Sequence, residues 1–170
     1  MRSSFAAALL VFVAVPATAA QLAVKIQIPR LEVAEYHRPY VAVWLESADQ
    51  NLAKHLAVWY QIDPKKEDGR QWLKDLRQWW RRGGRSLDMP VDGLTGATRP
   101  VGEHTLLLKS DSKQLASLPA ARYTLVVEAV REVGGRELLK VPFDWPGKQT
   151  QHVTAQGKTE LGAITLDVTP

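Results

Sequence analysis

The sequence predicts an all-β protein: an antiparallel, immunoglobulin-like β-sandwich of about seven strands, with one amphipathic helix inserted near residues 69–82. Three observations support this fold class. Short apolar segments recur along the chain, and several alternate apolar with polar residues as half-buried strands do. Glycine, proline, asparagine and aspartate, which are typical of turns, separate these segments. Only one stretch of the mature chain carries its apolar residues at helical spacing.

The chain begins with the layout of a secretory signal peptide, which we assign to residues 1–20. Arg2 supplies a short positive region, an apolar run follows, and small residues precede a cleavage site after Ala19 or Ala20. That run is too short for a transmembrane helix, and no later segment is apolar enough to be one. We therefore predict a periplasmic protein without its own membrane anchor, whose residues 21–170 form a single domain.

The composition excludes several classes of site. The chain contains no cysteine, which rules out disulfides, thiolate metal sites, iron–sulfur clusters, c-type haem attachment and cysteinyl flavin. Its net charge of +4 comes from basic residues scattered among acidic ones, which, together with export, argues against nucleic-acid binding. The four histidines show no metal-ligand spacing, and no nucleophile motif marks a hydrolase. We predict no metal site and no catalytic residues.

The strands are predicted in order from short apolar segments. Residues 22–28 alternate apolar with polar side chains and predict the first strand. Two denser apolar runs, at 40–45 and 56–62, flank a turn-forming segment and predict consecutive antiparallel strands. Gly134-Gly135 predicts a hairpin turn, and residues 119–123 resemble the corner before a strand of immunoglobulin-like domains. Later strands are predicted at residues 104–109, 123–131, 137–143 and 161–168.

Residues 68–82 differ from the rest of the mature chain because their apolar residues follow helical spacing. The apolar face consists of Trp72, Leu73, Leu76, Trp79 and Trp80. Asp68 is the predicted N-cap, with Gln71 at capping-box spacing, and Gly83-Gly84 ends the helix. The tryptophans that we expect to pack in the interior are Trp44, Trp59, Trp72 and Trp79.

The longest predicted loop, residues 85–103, holds the segment that indicates a function most directly. Loops of this length in compact domains are usually functional. Within it, residues 92–98 are Asp-Gly-Leu-Thr-Gly-Ala-Thr. This segment resembles the flavinylation motif of the sodium-pumping quinone reductases and the Rnf-type electron-transport complexes, in which a final Ser or Thr receives FMN. The resemblance implies that a flavin transferase attaches FMN to Thr98 through a phosphoester bond.

The other residues of the motif suit an acceptor segment. Gly96 and Ala97 leave the approach to the Thr98 hydroxyl open, because glycine has no Cβ and alanine only a methyl group. Thr95 can hydrogen-bond locally and help to set the turn, and Asp92-Gly93 favours a turn that pushes the segment outward. Phosphoryl transfer depends mainly on positioning and charge stabilisation, so we expect the transferase and its metal ion to activate the hydroxyl.

Basic and aromatic residues near the motif are candidates for contacts with the flavin. Arg99 follows Thr98 and would neutralise the phosphodiester. The arginines near the helix end have the same potential, or serve only as a solvated terminus favoured by the helix dipole: Arg81, Arg82 and Arg85. The candidates for stacking on the flavin ring are Trp79, Trp80 and Trp145.

A second resemblance spans most of the mature chain. Residues 36–44, 95–100 and 134–139 look like segments of an exported family of unknown function. That family tends to accompany flavin transferases and PepSY-type membrane proteins, which are thought to pass electrons across the membrane. The resemblance implies that this protein exchanges electrons with a PepSY-type membrane reductase.

These observations lead to one main hypothesis and two alternatives. The main hypothesis is a periplasmic electron carrier with covalent FMN on Thr98, which is a substrate of a flavin transferase and not itself an enzyme. The first alternative is a cofactor-free exported binding module, in which the tryptophan-rich helix and the loop form the surface for a ligand or a protein. A hydrolase ranks third, because its candidate nucleophiles have no base nearby in sequence: Ser86, Ser110, Ser112 and Ser117.

Overall fold

Two β-sheets pack face to face in the computed structural model, which describes residues 19–63, 65 and 68–170. The predicted signal peptide, apart from its last two residues, lies outside the described residues. The strands of the described part are β1 (Gln21–Ile28), β2 (Tyr40–Ser47), β3 (Ala53–Tyr60), β4 (Thr95–Ala97), β5 (Gly102–Lys109), β6 (Ala121–Val130), β7 (Arg136–Trp145), β8 (Gln151–Gln156) and β9 (Ala163–Thr169). The helical elements there are a first 3₁₀ helix (Gly69–Asp75), the α-helix α1 (Arg77–Arg81) and a second 3₁₀ helix (Gly84–Ser86). The predicted all-β sandwich with a short inserted helix is confirmed.

The two sheets differ in how their strands are arranged. The first sheet has the order β5-β1-β9-β8 and is antiparallel throughout. The second has the order β4-β3-β2-β6-β7 and is antiparallel except for β4, which runs parallel to β3 at the edge. Apolar side chains fill the space between the sheets, among them Leu22, Val24, Ile26, Val41, Val43, Leu125, Val127, Ile164, Leu166 and Val168. Every second residue of β1 and of the last strand is apolar because those side chains face this interior.

Two strands lie where the sequence predicts none. β8 lies at the edge of the first sheet and carries mainly polar residues, so no run of apolar residues marks it. β4 lies inside the predicted loop 85–103, and its Gly-Ala sequence has little strand propensity. Its extended conformation comes from pairing with β3. The predicted loop is thus divided into a 3₁₀ helix, a turn and a short edge strand.

The central strands of the second sheet are covered on both faces, which explains why β2 is densely apolar instead of alternating. Val41 and Val43 face the first sheet, while Ala42 and Trp44 face outward and are equally buried. The outer cover includes Leu73, Leu76, Trp79, Met89 and Leu94. The segment between β3 and β4 therefore forms a third layer of the domain.

The predicted continuous helix is instead two short helices. They meet at Leu76, whose backbone angles of φ −72° and ψ 69° are not helical. The Asp68 carboxylate caps the first 3₁₀ helix, as predicted, but it accepts from the Arg70 amide at 3.0 Å instead of joining a capping box with Gln71. Gly83, with φ +116°, follows α1 and ends it as predicted.

The 3₁₀ geometry changes which face Trp72 occupies. In a 3₁₀ helix, residues three apart lie on the same face, so Trp72 lies on the face of Gly69, and the buried Leu73 lies on a different face. Trp72 is 45% exposed, which corrects the prediction that it packs in the interior. The predicted burial of Trp44, Trp59 and Trp79 is confirmed.

A buried carboxylate holds α1 on the second sheet. Glu128, on β6, is completely buried and accepts hydrogen bonds from the backbone amides of Gln78 at 3.1 Å and Trp79 at 2.7 Å. The guanidinium of Arg136 pairs with the same carboxylate. Because a buried charge is costly unless it is paired and hydrogen-bonded, these partners fix the position of the helix.

A tyrosine corner precedes β6. The hydroxyl of Tyr123 donates to the carbonyl oxygen of Pro119 at 2.9 Å. A tyrosine near the start of a strand that bonds to the backbone a few residues upstream is a feature of immunoglobulin domains. This contact agrees with the resemblance predicted for residues 119–123.

Two carboxylates tie the sheets together at one end of the sandwich. Glu137, on β7, accepts from the amides of residues 158–161 at 2.6 to 3.0 Å, which fixes the turn between β8 and β9. Glu160, in that turn, accepts from Arg131 at 2.9 and 3.2 Å and from the amide of Gly135 at 2.7 Å. The hairpin between β6 and β7 is thereby attached to the first sheet.

Replacing Glu137 with glutamine is expected to lower the free energy of unfolding by about 1–2 kcal/mol at neutral pH, because a neutral amide is a weaker acceptor than a carboxylate. Burial by itself would raise the pKa of Glu137, but the amides of residues 158–161 hold that pKa below its ordinary value. The stability that the carboxylate contributes is therefore present above the pKa of the unfolded chain and lost as the pH falls through the folded-state pKa. Between neutral and acidic pH, the free energy of unfolding measured with urea should fall less for E137Q than for the wild type.

The matched control is Glu103→Gln, at an exposed position of β5. Its stability at neutral pH should equal that of the wild type. If E137Q and the wild type lost stability in parallel as the pH falls, the role assigned to Glu137 would be wrong.

Candidate functional site

The residues of the motif lie in a turn and in the edge strand β4, not at the tip of a long loop. Asp92 and Gly93 form the turn, with Gly93 at φ +72°, in agreement with the predicted turn. After β4, the amide of Thr98 donates to the carbonyl oxygen of Tyr60 at 3.2 Å and extends the pairing with β3. The three residues of β4 therefore lie between the turn and Thr98.

The two threonines of the motif differ in their hydrogen bonds. The Thr95 hydroxyl accepts from the backbone amide of Val91 at 2.9 Å. Within the described ranges the Thr98 hydroxyl makes no hydrogen bond, and this residue is half-buried. Thr95 thus shapes the turn, as predicted, whereas the Thr98 hydroxyl is left free.

Gly96 packs closely against a buried tryptophan. A Cβ at this position would lie 3.0 Å from Cδ1 of Trp59, which is buried. Arg99 lies over the same ring, with its Cζ 5.2 Å from the centroid, and His104 contacts the ring edge at a centroid distance of 6.0 Å. These contacts hold the chain around Thr98 where it crosses from the second sheet to the first.

Ala97 and Thr98 belong to the wall of a cavity of about 630 Å³ at the end of the second sheet. The other walls come from the segment before β2, the segment after β3, the first 3₁₀ helix and the hairpin between β6 and β7. Gly69 and Trp72, which share one face of that helix, both line it. Ligand pockets usually measure roughly 300–1,000 Å³, so this cavity has the size of a small-molecule or cofactor site.

Three aromatic side chains line this cavity: Tyr36, Tyr40 and Trp72. The ring of Tyr40 lies 6.3 Å from that of Tyr60, between the cavity and the outer layer. Desolvation by burial raises the pKa of Tyr36 and of Tyr40 above the ordinary value. Both are therefore neutral phenols near pH 7 and offer a ring face together with a hydroxyl group.

The cavity also contains charges of both signs. Arg38 lies in its wall, just before β2. The adjacent His37 lies between two carboxylates, with Nε2 3.0 Å from Glu35 and Nδ1 3.3 Å from Glu132. This imidazole connects the segment before β2 to the hairpin between β6 and β7.

The arginines near the helix end lie away from Thr98, which corrects that part of the prediction. Arg82 pairs with Glu46 at 3.0 Å, near the end of β2, roughly 20 Å along the strand from its start if each residue rises about 3.3 Å. Arg81 and Arg85 are exposed, and none of the three lines the cavity. Arg38 lies in the cavity wall instead, because the start of β2 is next to the ends of β3 and β4.

The tryptophans predicted to stack on a flavin do not line the cavity either. Trp79 and Trp145 are buried in the two interior clusters, so neither presents a free ring face. Trp80 packs against the outer cluster beside Trp79. Trp72 lines the cavity instead. Its spacing of three residues from Gly69 places both on one face of a 3₁₀ helix, a signal that is lost when the segment is interpreted as an α-helix.

The described part of the chain shows no group of three or more metal-ligating side chains placed to hold a metal ion. No helix in that part has both the length and the apolar character needed to cross a membrane.

A family model described as "Predicted periplasmic protein (DUF2271)" matches residues 21–163, which is most of the chain. No curated protein matches the chain. The description of the family gives a compartment and no ligand or activity.

Substituting Gly96 with valine is expected to destabilise the protein by about 1–3 kcal/mol, because the added side chain must displace the buried ring of Trp59 or the guanidinium of Arg99. Urea unfolding and near-ultraviolet circular dichroism would report the loss of stability and the altered tryptophan environment. Ala97→Val, at the exposed neighbouring position of the same strand, is the matched control. Equal stability of the two variants would contradict the packing role of Gly96.

Proposed function

The chain belongs to this family of predicted periplasmic proteins, and we propose that it carries electrons on an FMN group esterified to Thr98. The proposal begins with the resemblance of residues 92–98 to the flavinylation motif. The observation that supports it best is the position of Thr98, which lines a cavity with three aromatic side chains and whose hydroxyl makes no hydrogen bond to the described residues.

The residues around Thr98 suit an FMN group. The phosphodiester would carry a negative charge, for which Arg99 is adjacent in the chain and Arg38 lies in the cavity wall. The cavity of about 630 Å³ is within the usual range for ligand sites, roughly 300–1,000 Å³. FMN supplies the redox chemistry when bound, while the protein positions its ring and tunes its potential.

Attachment is a phosphoryl transfer in which this chain provides the nucleophile. The Thr98 hydroxyl oxygen bonds to the phosphorus of the FMN half of FAD, the pyrophosphate P–O bond breaks, and AMP leaves. The hydroxyl proton passes to a base of the transferase. Because β4 is an extended edge strand, a transferase can bind the segment as an added strand.

The proposed partners are a flavin transferase and a PepSY-type membrane reductase. This part of the proposal rests on the resemblance of residues 36–44, 95–100 and 134–139 to the exported family that accompanies such proteins. The first two of these segments contribute residues to the same cavity. On this proposal the protein is an electron carrier and a substrate of the transferase, not itself an enzyme.

A cofactor-free binding module is the second candidate. Large apolar side chains exposed near the cavity favour it: Ile62 at 50%, Trp72 at 45% and Val133 at 79%. Exposed apolar residues that cluster around a recess are typical of contacts with a ligand or a protein. The two candidates differ in colour, because covalent flavin makes the purified protein yellow.

Full-length protein exported together with a flavin transferase is expected to give a fluorescent band in a denaturing gel. Thr98→Val should abolish the band, because valine keeps the shape of threonine without its hydroxyl. Thr98→Ser should retain it, since serine restores the nucleophile.

Thr105→Val, at an exposed position of β5 in the other sheet, is the matched control and should be labelled fully. A labelled Thr98→Val would show that the attachment site is wrong. An unlabelled wild type, beside a transferase that labels a known substrate, would instead favour the binding module.

A further inference from the structure

A second cavity adjoins the one that contains Thr98. It measures about 290 Å³ and lies between the first 3₁₀ helix and the hairpin residues 130–133. Tyr40, Trp72 and Glu132 line both cavities. The two cavities are therefore adjacent, and we call them together the double cavity, with Thr98 in the wall of one part and Arg131 in the wall of the other.

Arg131 carries a buried hydrogen-bond donor that lacks an acceptor. Its side chain is 5% exposed, and its Nε and Nη2 donate to Glu160 at 2.9 and 3.2 Å. Its Nη1 is also buried but has no partner among the described residues. A buried donor without a partner destabilises the folded protein, and more so when the group is charged. Arg131 is among the residues that line the second cavity, so an acceptor bound there would lie next to its guanidinium group.

Trp72 occupies the junction of the two cavities. Trp72 is 45% exposed, although Leu73 in the same 3₁₀ helix and Leu76 just after it are buried. Tyr40 lines both cavities from the start of β2. Aromatic side chains in such a position suit a planar aromatic ligand, because ring faces pack well against one another. The double cavity thus combines aromatic surfaces with a buried donor, Nη1 of Arg131, that has no partner in the described part of the chain.

On the basis of the proposed attachment to Thr98, we propose that the double cavity binds the isoalloxazine ring of that FMN group. The ring packs against Trp72 and Tyr40, and Nη1 of Arg131 donates to an acceptor on the ring edge. The chemistry matches, because the isoalloxazine ring is planar and aromatic and one of its edges carries carbonyl oxygens and ring nitrogens. The donor and positive charge of Arg131 stabilise the electron density that reduction adds to the ring, which raises the reduction potential.

The test uses the flavin-labelled, full-length protein and compares its fluorescence when folded and when unfolded. Aromatic side chains in contact with a flavin quench its fluorescence, so the folded wild type should be dim and should brighten several-fold in urea. Trp72→Leu should raise the folded-state fluorescence several-fold and lower its anisotropy at unchanged labelling. Trp80→Leu, which removes a tryptophan that lines neither cavity, is the control and should stay dim.

A second variant tests the role of Arg131. Arg131→Lys keeps a positive charge opposite Glu160 but lacks Nη1, so the reduction potential of the bound flavin should fall. Arg136→Lys, which pairs with Glu128 and lines neither cavity, should leave the potential unchanged.

The outcomes separate the ring site from the attachment. A fully labelled wild type that fluoresces equally when folded and unfolded, or an equally dim Trp72→Leu, would overturn the ring site alone. An unchanged potential in a folded Arg131→Lys would overturn the contact with Arg131. A wild type without any flavin in the denaturing gel would overturn the attachment to Thr98 and the ring site with it.

Discussion

The rest of the structure depends on the apolar character of both faces of the central strands in the second sheet. The first sheet covers the face of β2 that carries Val41, but the face that carries Trp44 needs a cover of its own. The segment between β3 and β4 supplies this cover, and Glu128 holds its helix in place. This same segment places Trp72 at the end of the sheet where Thr98 lies. The candidate site is thus a result of how the outer face is covered.

The part of the fold that follows from side-chain periodicity could be predicted from the sequence. Residues 22–28 alternate because one face of β1 meets the interior, and the dense run in β2 reflects burial on both faces. β4 could not be predicted, because its three residues are extended only through pairing with β3. β8 could not be predicted either, because this edge strand is mostly polar. The break at Leu76 has no sequence signal that we recognise.

The candidate site could be predicted only where its residues are adjacent in the chain. Thr98 belongs to a seven-residue motif, and its role remains a prediction from that resemblance. Arg38, Trp72 and Arg131 come from three separate segments that line the recess beside it. No local pattern connects these residues, because strand order and the 3₁₀ helix bring them together. For the same reason the arginines near the helix end, close to Thr98 in sequence, lie near the opposite end of β2.

The position of Thr98 in the wall of an open recess has a consequence for how a cofactor is retained. A group joined to this residue by a short tether has an effective concentration in the recess on the order of millimolar. Even weak affinity would then keep the recess occupied, so its walls need not enclose the ring. The group could leave the recess, meet a membrane partner and return without being lost by diffusion. On the proposed attachment, a periplasmic protein would thus keep a cofactor without a deep binding pocket.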